Sequence, residues 1–492
     1  MRETLRTRMG WLHAWTGLVG GLLLVCIFAT GSLSVFDAEI TRWMQPEVQV
    51  QPETALTPAA LDIAARMIER EYSHGVSAFL ILPSARSPTL QVLHYDGRGF
   101  VGTVLDPGTG AVIPARQTQG GELFFRFHYT LCLPGPMGIL AVNLLGVGLL
   151  VALVSGLVIH IRALVPDIVL LRLHATRLRA WLDTHLLAGV LVLPFMLMIT
   201  YTGVLANVDT LLPARSVASF WAHAAPHMQP PVVAPAQPPR AFTSLPPLAP
   251  LLATACTRLG GREAGFILFS PDQLSIFVSD GSGPFLTRDH ADFSLPEGAP
   301  QPVLPNSTGI AHATQLMHGL HYARFAPIRL RWLYFASGLC ATAVIASGLV
   351  LFFMKRRRDW GHTPAFRIGE GLPITALAGL PSGICALLWA NRLLPATLPG
   401  RDGHEVTICL AVWGLCALHA VLRSIRGRSL PAWREELALT AFLAGGLPFL
   451  DGLTAPCALR AVPAVHMAVD GMGLSCAAIA LYARTRAWDR GG

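Results

Sequence analysis

The sequence is poor in charged residues. Only 13% of its 492 residues are Asp, Glu, Lys or Arg, while 52% are hydrophobic and the mean hydropathy is +0.50. Several of its apolar runs exceed about 18 residues, which is enough to cross a hydrocarbon core about 30 Å thick. This composition excludes an ordinary soluble protein and predicts a polytopic membrane protein whose spans contact the lipid bilayer.

Several cofactor and metal motifs are also missing. None of the nine cysteines forms a C-x-x-C pair, which excludes a zinc ribbon, a thioredoxin motif and the C-x-x-C-H attachment of c-type haem. The sequence has no G-x-G-x-x-G or flavin-type motif, so if the protein carries out redox chemistry, a separate molecule must supply the electrons. The net charge of +8 does not indicate nucleic-acid binding, because the basic residues cluster beside apolar runs, as the positive-inside rule expects.

One pattern occurs twice with identical spacing. The first copy consists of His13, Gly17, Thr30, Gly31 and Asp37, and the second of His185, Gly189, Thr202, Gly203 and Asp209. A second match, at one constant offset, relates Gly146, Ser155, Gly156 and Leu157 to Gly338, Ser347, Gly348 and Leu349. The unit of span, outside module and span therefore repeats in the same orientation, which implies a pseudo-two-fold axis along the membrane normal.

The chain divides into three predicted regions. Residues 1–165 form the first repeat, residues 166–360 the second repeat, and residues 361–492 an extension of four further spans. The predicted spans are about 10–36, 138–161, 181–208, 330–354, 372–394, 406–422, 437–453 and 465–482. Basic clusters lie on one side throughout and place both termini in the cytoplasm. The predicted fold class is a membrane all-α helical bundle of about eight transmembrane helices with small α+β modules outside the membrane.

The first outside module contains recognisable helix and strand patterns. Thr57-Pro58 is a good helix start before the periodic segment 61–72. Strand-like runs follow at about 78–83, 89–95 and 101–105, and the turn 106–110 precedes a last short run at 111–113. The second module begins with a Pro-rich stretch, 226–250, which predicts a linker. Behind it come a helix at 251–259 and strands at 265–269 and 274–279, which together resemble a degenerate second copy.

Histidines at the span ends are the candidate functional residues. Ionisable side chains at spans are costly and are functional candidates by default. His13 and His185 occupy equivalent positions near the predicted cytoplasmic boundary. His128 and His321 are roughly equivalent at the outer boundary, with a shift of one residue, and His318 lies one helical turn from His321.

Two pairs of facing imidazoles, one near each surface, are what two b-type haems with bis-histidine ligation require. Each neutral imidazole offers a lone pair to iron, and two axial ligands favour electron transfer over oxygen chemistry. Glycines at 17, 189, 146 and 338 would allow a flat macrocycle to approach. Two plainer readings stay open: histidines at helix ends are often interfacial hydrogen-bonding groups, and glycines in spans often serve helix packing. His160, which has no repeat counterpart, is an alternative ligand.

The ordered set of these motifs resembles the PepSY-associated transmembrane proteins. The matching segments are LHAWTGL in span one, FHYTL before span two, DTHLLAG and ITYTGVL in span three, LHYARF before span four, and VLDPGTGAVI in the first module. The resemblance covers roughly residues 8–360. It implies an iron-regulated bacterial inner-membrane protein with PepSY-like periplasmic modules, and some family members are di-haem reductases that release iron from ferric siderophores. It maps His13, His128, His185 and His321 onto the haem ligands.

The predicted function is therefore transmembrane electron transfer to a ferric siderophore on the periplasmic side, with Fe(II) released for uptake. The electron donor would be a quinol or a separate cytoplasmic reductase. Two alternatives remain from the sequence. A parallel repeat also suits a siderophore or iron permease, and the modules could serve a binding or inhibitory role without haem.

Overall fold

The computed structural model describes residues 5–96, 100–161, 176–208, 211, 244–302, 309–461 and 463–488. The chain divides into two compact units. The membrane unit consists of Met1–Met44, Gln117–Leu211 and Ile328–Gly492, and the sheet unit of Gln45–Arg116 and Leu212–Pro327. Most of the predicted Pro-rich linker and most of the predicted basic loop after span two lie outside the described residues.

Every regular element that the structure describes in the membrane unit is a helix. Its first seven helices are α1 (Leu5–Ser34), α2 (Asp37–Met44), α4 (Glu122–Thr130), α5 (Pro136–His160), α6 (Arg177–Ala206), α9 (Ile328–Trp360) and α10 (Pro364–Ile374). A π-helical turn, Thr375–Gly379, then leads into α11 (Leu380–Leu393), α12 (Arg401–Ile425), α13 (Ser429–Gly445), α14 (Leu447–Thr454), α15 (Pro456–Ala461) and α16 (Pro463–Trp488). Among the described residues, eight helical segments are long and apolar enough to cross a membrane, which confirms the predicted bundle.

The two predicted repeats supply a four-helix core. Helices α1 and α5 come from the first repeat, and α6 and α9 from the second. Their shared core includes Leu24, Leu149, Val192, Met196 and Ala341, all of which are buried. These side chains come from all four helices, so both repeats contribute to the core.

Two close helix contacts in this core occur at positions that the repeat makes equivalent. A Cβ atom added at Gly338 of α9 would overlap the Ser32 side chain of α1, and one added at Gly146 of α5 would lie 2.8 Å from Val204 Cγ2 of α6. Small residues allow such close approach of membrane helices. For Gly146 and Gly338 the structure therefore shows helix packing, the plainer of the two readings that the sequence left open.

The extension packs as a second group of helices beside this core. Its first span is interrupted by the π-helical turn, and a hydrogen bond from Trp413 Nε1 to Thr375 O, 3.0 Å long, holds that turn against α12. Ala376 and Leu380 pack against Val25 of α1 and Leu349 of α9. The extension thus packs against α1 of the first repeat and α9 of the second.

The sheet unit consists of two insertions between spans, Gln45–Arg116 (the first insertion) and Leu212–Pro327 (the second insertion). Both insertions contribute strands to one antiparallel sheet. The strands are β1 (Ala78–Ile81), β2 (Leu90–Tyr95), β3 (Phe100–Leu105), β4 (Val112–Ile113), β5 (Ala264–Ser270), β6 (Gln273–Val278) and β7 (His290–Ser294). Their order is β4-β3-β2-β1-β5-β6-β7. Strand β1 pairs with β5, with Leu80 opposite Ile267. The two predicted modules therefore share a continuous sheet, and β7 is a strand that the sequence patterns did not predict.

Helices α3 (Pro58–Ser73) and α7 (Leu248–Arg258) cover one face of this sheet, and α8 (Gly309–Tyr322) follows β7. Thr57 caps α3 as predicted, because its hydroxyl accepts a hydrogen bond from the Ala60 amide at 3.2 Å. Ile68 of α3 and Leu248 of α7 are fully buried on that face. The core of the sheet unit thus draws on both insertions.

Candidate functional site

His13 and His185 lie side by side in the four-helix core. Helix α1 carries His13 and α6 carries His185, each near the start of its span. The ring centroids are 6.2 Å apart and the ring planes cross at 69°. Two imidazole nitrogens that bond one metal ion from opposite sides, at about 2 Å each, place their ring centroids about 6 Å apart. The separation of the two rings is therefore compatible with one iron held between them.

Each of these rings is oriented by a backbone carbonyl. His13 Nδ1 lies 2.8 Å from Ala152 O on α5, and His185 Nδ1 lies 2.9 Å from Val344 O on α9. A carbonyl only accepts hydrogen bonds, so Nδ1 is the donor and Nε2 keeps the lone pair. The Ser347 hydroxyl also lies 2.9 Å from His185 Nδ1. Metal-binding histidines are typically fixed in this way through the second ring nitrogen.

Each of the two rings lies beside a glycine, and the repeat relates these two glycines to each other as it relates the two histidines. A Cβ atom added at Gly156 would lie 3.0 Å from His13 Cε1, and one added at Gly348 would lie 3.2 Å from His185 Cε1. Such distances are shorter than ordinary van der Waals contact, about 3.5–4.0 Å between carbon atoms. Glycine at both positions therefore gives each imidazole the room to approach the neighbouring helix and reach its carbonyl.

Both histidines line a cavity of about 370 Å³ between α1, α5, α6 and α9. Its walls are mostly small or aliphatic, and its glycines are Gly10, Gly17, Gly21, Gly148, Gly156, Gly189 and Gly348. A Cβ atom added at Gly17 would meet no described atom beyond its own helix within 4 Å, and one added at Gly189 would only touch Val344. Gly17 and Gly189 thus leave open space beside the histidines, as a flat ligand would need.

The polar groups of this cavity are basic. His160, Lys355 and Arg356 line it together with the histidine pair, and none of its described lining residues is acidic. The Arg356 guanidinium lies 3.8 Å from the centroid of the Phe352 ring and 5.8 Å from that of Trp15. Contacts of this kind hold a guanidinium in place through cation–π attraction. The cavity therefore combines an apolar body with a cationic edge.

His160 also lies at this cavity, although it has no counterpart in the repeat. It ends α5 and lines the same cavity as His13 and His185. The carbonyl contacts described above orient His13 and His185, and the repeat relates them. We therefore retain these two as the candidate ligand pair and treat His160 as the alternative.

His128 lies elsewhere in the membrane unit, on α4. Its Nδ1 is 2.9 Å from Ile27 O of α1, so this ring too is oriented by a carbonyl. A Cβ atom added at Gly31 would lie 2.5 Å from His128 Nδ1, which explains glycine at this place in α1. Burial lowers the pKa of His128 and favours the neutral ring.

His318 and His321 belong to the sheet unit, on α8. The His321 ring lies 5.9 Å from the Tyr322 ring, in an edge-on arrangement. Burial, with a further contribution from the charge of Arg288, lowers the pKa of His318. The pairing of His128 with His321, and the choice between His321 and His318, stay predictions.

The sequence patterns missed two carboxylate–histidine clusters in the extension. His419 lies 2.8 Å from Glu435 and 3.1 Å from the buried Glu436. His466 lies 2.7 Å from Asp451, whose other oxygen is 2.7 Å from Arg392. Arg392 lies near the end of the predicted span 372–394, and its side chain is fully buried in α11. Acidic and basic residues within or beside an apolar run were the available signal.

These features define a class: a multi-pass membrane protein with an α+β sheet unit inserted between its spans and a glycine-lined cavity that holds two imidazoles. The family model described as PepSY-associated TM region matches residues 10–356, so the chain belongs to this family. The four-span extension lies beyond the matched residues. No curated protein matches the sequence.

Proposed function

We propose that this chain is an inner-membrane electron-transfer protein that binds b-type haem and reduces ferric siderophores on the periplasmic side. The termini would lie in the cytoplasm. The observation that carries the proposal is the oriented pair of His13 and His185 in a cavity whose glycines leave room for a flat ligand. Family membership is consistent with the proposal.

The residues present fit a haem at this cavity. His13 and His185 would hold the haem iron, because the carbonyl contacts at Nδ1 leave the Nε2 lone pairs for the metal. Gly17 and Gly189 would face the macrocycle, since a side chain there would enter the open space. Arg356 and Lys355 would form charge-assisted hydrogen bonds with the carboxylates of a haem.

When bound, haem supplies reversible one-electron transfer between Fe(III) and Fe(II). The protein contributes a mostly apolar cavity, two oriented imidazoles and a cationic edge, and such surroundings are the means by which proteins set a haem's properties. A hydrocarbon core about 30 Å thick is too wide for one electron hop. We therefore propose a second haem near the periplasmic surface, held by His128 together with His321, or with His318 in its place.

The substrate would be a ferric ion in a siderophore, and one electron would reduce it to Fe(II). Hard oxygen ligands hold Fe(II) more weakly than Fe(III), so the reduced ion would dissociate and become available for uptake. The donor would be a quinol or a separate cytoplasmic reductase, because the sequence has no dinucleotide-binding motif of its own.

The first experiment is an absorption spectrum of the purified chain, oxidised and after dithionite reduction. We expect a Soret band and a reduced α-band typical of low-spin b-type haem. Expression with an ample haem supply removes limited cofactor as an explanation of a negative result. A chain without either band would refute the haem proposal and favour a permease or a binding protein.

Single histidine variants then assign the ligands. We expect His13→Ala and His185→Ala each to remove the same half of the haem signal, and the double variant to remove no more. His160→Ala should keep that signal, since His160 lies outside the proposed ligand pair. If His160→Ala removes the signal and His13→Ala keeps it, the assigned pair is wrong.

A further inference from the structure

The extension directs buried charged groups at one segment of the first repeat. Arg401 and Glu405, at the start of α12, and Asn391, near the end of α11, are all fully buried. Arg401 forms an ion pair with Glu405 and also donates to Asn391 O. Burying charges is costly even when they are paired, so their placement calls for a role besides stability.

These groups bind the segment Gln117–Gly121, where the chain re-enters the membrane unit. Arg401 donates to Gln117 O at 3.0 Å. The Thr118 hydroxyl donates to Glu405 Oε2 at 2.6 Å and accepts from Asn391 Nδ2 at 3.3 Å. A further bond of 2.7 Å connects the Gln119 side-chain amide with Asp402. Every described contact named here joins the segment to α11 or α12.

The same segment also contacts α2. The Gly121 amide donates to Thr41 Oγ1 at 2.9 Å. A Cβ atom added at Gly121 would overlap the backbone of Asp37, so no larger residue fits without displacement. Arg392 also donates to Trp43 O at 2.6 Å, and its guanidinium lies 4.1 Å from the centroid of the Trp43 ring. The extension therefore holds both places where the chain passes between the membrane unit and the first insertion.

Helix α4 follows this segment directly and packs against the extension. Leu123 and Phe124 belong to the same buried cluster as Leu387 and Leu388 of α11. The Phe127 ring lies 6.0 Å from that of Trp413 on α12. The next residue along α4 is His128, whose ring bonds to Ile27 O of α1. The position of His128 thus depends on contacts of α4 with two different parts of the chain.

We infer that the four-span extension serves to position His128, through a polar clamp made of Arg401, Glu405 and Asn391. The clamp fixes Gln117–Gly121, the segment fixes the start of α4, and α4 presents His128. Thr118 is a positioning residue in this scheme, because its hydroxyl is the point at which the clamp holds the segment. The spectral part of the test below rests on the proposed haem at His128, whereas the exchange part does not.

The decisive variant is Thr118→Val, which keeps the side chain's shape and leaves the Arg401–Glu405 pair intact. Its matched control is Thr440→Val, because the Thr440 hydroxyl is also buried in the extension, bonded to Ser382 and Ala378, and contacts no part of the segment in the described structure. Hydrogen bonds to charged groups change an equilibrium about ten- to hundredfold. We expect amide hydrogen exchange over residues 117–130 to accelerate at least about tenfold in Thr118→Val but not in Thr440→Val.

In the haem-loaded protein, Thr118→Val should shift the spectral signal that His128→Ala removes and leave the signal that His13→Ala removes. Equal exchange over residues 117–130 in Thr118→Val and Thr440→Val would overturn the inference, and so would a common loss of both spectral signals. If the wild-type chain binds no haem, the proposed function fails, and hydrogen exchange alone still decides whether the extension fixes α4.

Discussion

Adding one methyl group at Gly17 should stabilise the protein without haem and weaken haem binding. Gly17 lies inside α1, and its added Cβ would meet no described atom beyond its own helix within 4 Å. Alanine in a helix interior is favoured over glycine by about 1 kcal/mol, so the free energy of unfolding should rise by that amount. In the cavity, however, the methyl group would occupy space proposed for the macrocycle.

Overpacking a well-filled site costs about 1–3 kcal/mol, which corresponds to roughly 5- to 150-fold weaker haem binding by Gly17→Ala. Haem titration of the haem-free protein, followed at the Soret band, measures the affinity, and thermal unfolding before loading measures the stability. Gly403→Ala is the control, because an added Cβ there also meets nothing within 4 Å, and Gly403 lies in α12 outside the cavity lining. Unchanged haem affinity in Gly17→Ala would refute the proposed approach of a flat ligand to α1.

Two further predictions concern other parts of the chain. Arg356→Ala should weaken haem binding about tenfold but leave the binding of haem dimethyl ester nearly unchanged, whereas the exposed Arg358→Ala should affect neither; equal losses for both ligands would exclude a carboxylate contact. Tyr72→Phe should cost about 1 kcal/mol in thermal unfolding, because the Tyr72 hydroxyl donates to Phe269 O at 2.6 Å. Burial raises the pKa of Tyr72 to about 12, so this loss should be constant from neutral pH to pH 9. An unchanged unfolding midpoint in Tyr72→Phe would contradict this account of the hydrogen bond.

The spans and the histidine pair were predictable because each leaves a strong local or repeated signal. Long apolar runs have few structural alternatives to a membrane helix. The exact repetition around His13 and His185 placed them at one depth, and the structure brings their rings together. The same reasoning undervalued His160, because a search for repeated positions finds only residues that have a counterpart. His160 nevertheless lines the same cavity.

The polar clamp could not be predicted, because charges at the ends of apolar runs look like loop charges. Arg392 lies near the end of the predicted span 372–394, and Arg401 and Glu405 lie between it and the span predicted at 406–422, yet the side chains of all three are fully buried. The partners of Arg401 and Glu405, Gln117 and Thr118, lie 284 and 287 residues away in sequence. No local pattern records a contact over such a distance.

The pairing of β1 with β5 has a consequence for biosynthesis. Phe79 faces Leu268, so about 190 residues must be made between the two halves of this pair, and α5 and α6 must be inserted meanwhile. At translation rates of about 5–20 residues per second, β1 waits about 10–40 s for its neighbour. During that interval its free edge can pair with other chains, the hazard common to exposed strand edges. The first insertion is therefore a candidate client for a chaperone on the side of the membrane where the sheet forms, and slowing translation after residue 113 should increase aggregation of the nascent protein.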